Sequence, residues 1–177
     1  MSTPTIPPYA ETAFIAGILG DVITPSHPSY ADSLIRWAAN SQRPARYVVF
    51  VKSPEDVALS IAFARIHKLE LAVRGGGHNP SGASSIDGGL VIDLSKYLNT
   101  VRVDEEKKLA YVGGGAVWRD VDCEAIKYGL ATVGGTVNHV GSLSPRSDSV
   151  VTLSAYRPES AGLRLVEASA GSAVAMD

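Results

Sequence analysis

The chain has 177 residues, 45% of them hydrophobic and 19% charged, which is the composition of an ordinary globular protein. A chain of this length is expected to form one domain, or two small lobes, around a buried core. The formal net charge is −2, and no basic run occurs, which argues against nucleic acid or an anionic membrane as a partner. Cys123 is the single cysteine, which excludes an internal disulfide, and the histidine spacing predicts no metal site.

Residues 1–42 are predicted to be an N-terminal lead segment. The first ten residues contain three prolines and no lysine or arginine, so they lack the charged start of a secretory signal. The apolar stretch 13–19 is too short to span a bilayer. The sequence therefore predicts a cytoplasmic protein, with short helices at 9–19 and 30–39 in the lead segment.

Residues 43–95 are predicted to form a first lobe. The apolar run 47–51 is rich in β-branched residues and predicts a strand buried on both faces. The tetrapeptide Ser-Pro-Glu-Asp at 53–56 predicts a helix start, because serine caps well, proline suits the first position and acids suit the positive helix end. Strands at 71–73 and 90–94 follow, so the order predicts a parallel βαβ unit.

Residues 96–141 are predicted to begin a second lobe. Alternating residues at 100–104 and 109–112 flank a polar turn and predict an antiparallel hairpin. Apolar residues then recur at helical spacing over 117–126, and Gly129 suits the position after the helix.

Residues 142–177 are predicted to be a divergent and poorly ordered tail. They are rich in serine and alanine and show no sustained periodicity. Within them, 150–153 is a strand candidate and 162–170 a weak helix candidate.

The loop RGGGHNPSG at 74–82 carries the clearest chemistry. Three consecutive glycines let the backbone approach an anion closely, and successive N–H groups can form an anion nest, which suits a diphosphate. A Rossmann fingerprint would need glycine where Pro80 stands, and no P-loop lysine follows a glycine cluster. A plain glycine-rich turn is the alternative that these glycines alone leave open.

Two further features belong to the same hypothesis. His78 lies at the mouth of the loop, where a neutral imidazole can act as a nucleophile towards a cofactor carbon; a hydrogen-bonded loop residue is the alternative. The small and polar residues of 129–141 suit the lining of a dinucleotide, and the alternative there is an irregular strand with a bulge at 134–135. A third glycine cluster, 113–115, is predicted to be a turn.

Three segments together resemble the flavin-binding domain of the vanillyl-alcohol oxidase and p-cresol methylhydroxylase superfamily. They are VRGGGHNPSGASSIDGGLVIDLS at 73–95, YVGGGAVWRDVD at 111–122 and GLATVGGTVNHVG at 129–141. The similarity is greatest to the berberine-bridge-enzyme-like oxidoreductases. The resemblance implies an α+β fold, in which a small parallel βαβ lobe precedes an incomplete, mixed or antiparallel α+β lobe of a two-lobed FAD-binding domain.

The resemblance also implies a bound FAD, joined covalently through His78 to the 8α carbon of the flavin ring. Some relatives carry a second, cysteine attachment near position 137, where this chain has valine, and Cys123 is predicted to be a half-buried helix residue. Single attachment is therefore expected. The implied cofactor-binding residues are Arg74, Gly75, Gly76, Gly77, His78, Asn79, Ser81, Gly134, Gly135, Thr136, His139 and Gly141.

The implied function is that of an FAD-dependent oxidoreductase that takes a hydride from an alcohol, amine or related carbon centre of a small molecule, with oxygen regenerating the flavin. No residue is assigned as catalytic. Relatives continue past Gly141 with a GVGG…LGGG stretch, where this chain has Ser-Leu-Ser-Pro-Arg at 142–146. We therefore expect a shifted reading frame, mis-splicing or truncation near Gly141. The alternative function is a non-catalytic remnant that at most binds flavin.

Overall fold

The computed structural model describes residues 5–142 and 149–155, and within them the chain has the predicted α+β fold, with sheets of four, three and two strands. The helices and strands, in chain order, are α1 Pro8–Gly17, β1 Asp21–Ile23, α2 Tyr30–Ser33, a 3₁₀ turn Ala39–Ser41, β2 Tyr47–Phe50, α3 Pro54–Ile66, β3 Leu71–Arg74, β4 Leu90–Asp93, β5 Val101–Asp104, β6 Leu109–Val112, α4 Trp118–Ala125, a 3₁₀ turn Ile126–Tyr128, β7 Leu130–Ala131, β8 Ser149–Thr152 and β9 Ser154–Ala155.

The sheet of the first lobe has the strand order β1-β2-β4-β3, in which β2, β4 and β3 are parallel and β1 is antiparallel to β2. The three predicted strands are confirmed, but β4 lies between β2 and β3. All four residues of β4 are buried, whereas Leu71 and Val73 of β3 are exposed. The fully buried strand β4 thus takes a central position, and the half-exposed strand β3 forms the edge.

The lead segment packs into the first lobe. Ile18 and Phe14 are buried in its core, and the Phe14 ring stacks on Phe63 of α3 at 4.0 Å between centroids and meets Tyr47 of β2 edge-on. Strand β1, which the sequence does not predict, covers the edge of β2. The lead segment therefore contributes to the core and to the sheet of the first lobe.

The helix predicted over 30–39 is wrong in length. α2 ends at Ser33, and a separate 3₁₀ turn covers Ala39–Ser41. Arg36 donates through Nη1 to the carbonyls of Ser33 and Ile35, at 3.1 and 2.9 Å. The N–H of Trp37, which a continuing helix would donate to Ser33, instead donates to Gly77 at 3.2 Å. Tertiary contacts therefore override the local helical pattern.

The second lobe contains the predicted hairpin of β5 and β6, extended by β8, which pairs antiparallel with β6. Gly129 ends the helical segment with a φ of +63°, the left-handed geometry expected there. The strand candidate at 150–153 is confirmed as β8, and the helix candidate at 162–170 lies outside the described residues. The core of this lobe includes Ala110, Val112, Ala116, Val121, Ala125, Leu130 and Leu153.

No helix in the described parts of the chain combines the length and apolar character needed to cross a bilayer.

A buried carboxylate ties the lead segment to the start of α3. Asp56 is fully buried and accepts backbone N–H groups from Leu19 at 2.8 Å, Gly20 at 3.1 Å and Lys52 at 2.8 Å. The same helix begins as predicted, with the Ser53 hydroxyl accepting the N–H of Asp56. The Asp56 side chain therefore joins the lead segment, the end of β2 and the start of α3.

Replacing this side chain tests that junction. In Asp56→Asn an amide NH₂ takes the place of one accepting oxygen, so at least one buried N–H loses its partner. We expect urea unfolding to show a loss of about 2–4 kcal/mol. The exposed Asp122 of α4 provides the matched control, since Asp122→Asn should change stability by less than about 0.5 kcal/mol. Equal stability of the two variants would contradict the role assigned to Asp56.

Candidate functional site

The predicted glycine loops meet at the junction of the two lobes. A Cβ atom built on Gly75 would lie 2.6 Å from the carbonyl oxygen of Gly114, and one built on Gly76 would lie 2.6 Å from the nitrogen of Gly141. Real Cβ contacts are never this short, so the backbones touch only because glycine stands there. A β-bridge between Val117 and Gly141 fixes the second loop, residues 129–141, against the first loop, residues 74–82.

The cluster 113–115 forms the predicted turn and also contacts the chain that leaves β4. A Cβ on Gly113 would lie 2.4 Å from the carbonyl oxygen of Leu98, and one on Gly115 would lie 2.0 Å from that of Leu94. The predicted turn is confirmed. The same turn also forms a contact between the two lobes.

The first loop is held through its carbonyl groups. Gly77 accepts from the N–H of Trp37 at 3.2 Å, and Arg74 accepts from that of Leu94 at 2.8 Å. Within the described part of the chain, the N–H groups of residues 75–78 donate to no protein acceptor. A run of unengaged donors at the carboxyl end of a parallel strand is suited to an anion.

Asn79 and Ser81, also predicted to contact the cofactor, form the far side of this loop. The side-chain oxygen of Asn79 accepts the N–H of Ser81 at 2.8 Å, and both residues are exposed. This short turn sets the direction in which the chain leaves the glycines.

Two guanidinium groups lie beneath the loop. Arg74 forms an ion pair with the buried carboxylate of Asp93 at 2.8 Å, and its Nε is buried without a partner among the described residues. Arg36 is 4% exposed. A Cβ on Gly77, whose φ is +67°, would lie 3.0 Å from Arg74 Nε and 3.2 Å from Arg36 Cδ. Both arginine side chains therefore approach the same glycine.

Arg36 bonds to carbonyls rather than to a carboxylate. Its Nε and Nη2 donate to the carbonyl of Ser84 at 3.1 and 2.9 Å. Burial, and to a smaller degree repulsion by Arg74, lowers the pKa of Arg36 to about 10, so it stays charged at neutral pH. Two cations face one buried carboxylate, which leaves surplus positive charge under the loop. Arg36 is not predicted as a site residue, because a lone arginine in a non-periodic segment carries no local signal.

His78 contacts two aromatic rings. Its imidazole stacks on the Trp37 indole, with centroids 4.4 Å apart and planes 18° apart, and His139 lies 4.9 Å away, tilted by 43°. The Nε2 atom of His78 is buried, and no group in the described residues hydrogen-bonds to it. The structure thus brings together His78 and His139, which the sequence places in separate loops.

The middle of the second loop lies against Trp118 and not against the first loop. Gly134 and Gly135 lie in a loop rather than in a bulged strand, and their nearest neighbours are atoms of the Trp118 indole. Thr136 is exposed. Gly141 and His139 are therefore the members of this loop that adjoin the first one.

Cys123 is exposed, so the prediction of a half-buried residue is wrong. It occupies the solvent face of α4, whose buried residues are Val121 and Ala125. Among the described residues, no group of three or more histidine, cysteine, aspartate or glutamate side chains could hold a metal ion.

An open cavity of about 600 Å³ lies beside β1 and contains none of the predicted cofactor residues. Its Asp21 carboxylate accepts hydrogen bonds from Lys96 and Tyr97, which lower the pKa of Asp21. Since Asp21 is already engaged, the glycine loops, and not this cavity, form the candidate site.

The sequence of this region matches a known domain. Residues 45–155 match the family described as FAD binding domain. The match continues past Gly141 and includes β8 and β9. The family pattern therefore extends beyond Gly141, where the resemblance was expected to end. (R)-6-hydroxynicotine oxidase of Paenarthrobacter nicotinovorans is 38% identical over 125 residues, or 70% of this chain and 27% of that protein. FAD-linked oxidoreductase hasG of Aspergillus fumigatus is 35% identical over 122 residues, or 68% of this chain and 26% of that protein.

Solved structures of flavoenzymes have a similar fold. 6-Hydroxy-D-nicotine oxidase from Arthrobacter nicotinovorans superposes with a TM-score of 0.68 at 36% identity, covering 71% of this chain and 27% of that one. BBE-like 1 of Physcomitrella patens gives 0.67 at 19% identity, covering 75% and 29%, a likeness of fold alone. The resemblance and the two-lobed fold are thereby confirmed, and the chain spans about a quarter of the length of the curated relatives.

The contact between the lobes can be tested at Gly76. In Gly76→Ala the added methyl group meets the backbone of Gly141, which cannot rotate away, so we expect unfolding stability to fall by about 1–3 kcal/mol. At Gly17 the added methyl group would lie 3.8 Å from the Leu59 side chain, an ordinary contact. Gly17→Ala is therefore the matched control, expected to leave stability unchanged or slightly raised. A Gly76→Ala protein as stable as this control would show that the loops do not touch.

Proposed function

Because the chain belongs to the FAD binding domain family, we propose that it forms the cofactor-binding part of an FAD-dependent oxidoreductase, with the loop 74–79 holding the FAD diphosphate. The observation that carries this proposal is the row of unengaged N–H groups at 75–78 with two guanidinium groups behind it. Related proteins bear the names oxidase and FAD-linked oxidoreductase.

The chemistry of the loop suits a dianionic ligand. The N–H groups donate to an oxyanion without giving up a protein hydrogen bond, so little is lost when the ligand enters. Arg36 and Arg74 outnumber Asp93 in charge and lie in a buried setting, where attraction to an anion is screened less than at the surface. The diphosphate of a dinucleotide therefore fits the donors that are present.

His78 is the residue that we propose as the covalent anchor. Its Nε2 is buried and without a partner in the described residues, so one ring nitrogen of the imidazole is not used by the fold. In that role His78 would give up its ring N–H proton and hold the flavin through a carbon–nitrogen bond at the 8α position, which replaces one hydrogen of that methyl group. The bound FAD would itself supply the two-electron acceptor that this attachment needs, with dioxygen as the final oxidant.

The bound flavin would supply hydride acceptance from an alcohol, amine or related carbon centre of a small-molecule substrate. The described residues supply cofactor binding and attachment: the loop N–H groups bind, Arg36 and Arg74 neutralise charge, and His78 anchors. We assign no proton acceptor for the substrate among them. Gly134, Gly135 and Thr136 remain proposed lining residues.

The diphosphate proposal is testable without flavin. ADP carries the same diphosphate, and on titration into ¹⁵N-labelled protein it should shift the amide resonances of 75–78 most. Gly113 and Gly115 are internal controls, because their N–H groups already donate to Thr100 and Leu98, each at 2.8 Å. The shifts should weaken as salt is raised, since charge attraction contributes. Equal shifts at both glycine clusters, or none at 75–78, would contradict the proposal.

The anchor is tested by colour. Protein loaded with FAD should stay yellow after denaturation and fluoresce in a denaturing gel, and His78→Ala should abolish this. The exposed His27 outside the loop serves as control, and His27→Ala should retain bound flavin. Yellow colour that survives denaturation in His78→Ala would place the attachment elsewhere.

A further inference from the structure

Trp37 is an exposed aromatic residue held in a defined place. Its side chain is 61% exposed, yet its indole lies nearly parallel to the His78 imidazole, with planes 18° apart. Most large apolar side chains on a surface contact nothing in particular. A near-parallel contact with the one histidine of the glycine loop is a specific arrangement.

The backbone beneath the indole is fixed at both ends of the loop. The N–H of Trp37 donates to the carbonyl of Gly77, directly before His78. The preceding residue, Arg36, is buried and donates twice to the carbonyl of Ser84, beyond the far end of the loop. The dipeptide 36–37 therefore spans the loop, and the position of the indole is set by it.

We propose that Trp37 is a positioning residue that fixes the plane of the His78 imidazole for attachment of the flavin. The inference rests on the proposed role of His78 as the covalent anchor. It adds a residue that no motif of the sequence marks and that acts through another side chain.

The physical reason lies in the direction of the imidazole lone pair. The reactive lone pair of a neutral imidazole lies in the ring plane, so whatever fixes the plane fixes the direction of attack. An unrestrained histidine samples several rotamers, of which few aim a nitrogen at a given carbon. Trp37 covers one face of the ring and His139 adjoins it, while the ring edge that carries Nε2 makes no hydrogen bond within the described residues.

The surrounding sequence offers a matched control. Ile35 is 52% exposed, lies two residues before Trp37, and belongs to the same segment. Its truncation removes exposed apolar surface from the same segment without removing the ring that stacks on His78. Because Trp37 is itself largely exposed, its truncation is not expected to unfold the protein.

The experiment compares Trp37→Ala, Trp37→Phe and Ile35→Ala in the full chain, each incubated with FAD. Covalent flavin is followed over time by fluorescence after denaturation. We expect Trp37→Ala to attach flavin roughly ten- to a hundredfold more slowly, as misplaced reacting groups do. Trp37→Phe, which keeps a flat ring, should recover most of the rate, and Ile35→Ala should match the wild type.

A second measurement does not depend on flavin. In flavin-free protein the indole ring current should shift the His78 ring-proton resonances upfield. Trp37→Ala should move them towards the values of a free histidine, and Ile35→Ala should leave them in place. Unchanged His78 resonances in Trp37→Ala would show that the two rings do not stack.

Two other outcomes overturn the inference and are distinguishable. If wild type and Trp37→Ala attach flavin at the same rate, His78 is the anchor but needs no positioning by Trp37. If the wild type and every variant carry no covalent flavin while ADP still shifts the 75–78 amides, the anchor role itself is wrong, and the inference falls with it.

Discussion

Direct backbone contact between glycines is the constraint on which the rest of the site depends. Gly75 and Gly76 of the first lobe touch Gly114 and Gly141 of the second at distances that leave no room for a Cβ atom. This contact ends the parallel strand β3 against the second lobe, so that the free N–H groups of its loop, His78 and His139 all lie at the junction. A side chain at Gly75 or Gly76 would separate the lobes and with them the two histidines.

The same junction concentrates positive charge. Burying Arg36 carries a large desolvation cost, which here is met by four hydrogen bonds to carbonyl oxygens rather than by a counter-ion. The nearby carboxylate of Asp93 pairs with Arg74 and accepts a hydrogen bond from Ser95. The fold thus pre-organises donors and charge before any ligand enters, and pre-organised charge contributes more to binding than groups that must first rearrange.

Local signals in the sequence predict most elements but not their arrangement. The Ser53 cap and Pro54 mark the start of α3, β-branched runs mark β2 and β4, and Gly129 marks the end of the second helical segment, because each depends on neighbouring residues. The place of β4 between β2 and β3 has no local signal, because the first three residues of β3 and of β4 are all apolar. Strand β1 has three residues, too few for a pattern.

The site shows the same division. Glycine clusters and His78 stand out in the sequence. Arg36 does not, because it donates to the carbonyl of Ser84, 48 residues away, and no motif records such a contact. Likewise, His139 reaches His78 because the N–H groups of Trp118 and Arg119, in the first turn of α4, donate to the carbonyls of Val140 and Asn138. The orientation of α4 therefore decides where His139 stands. The pairing of the histidines belongs to the junction of the lobes and to neither loop alone.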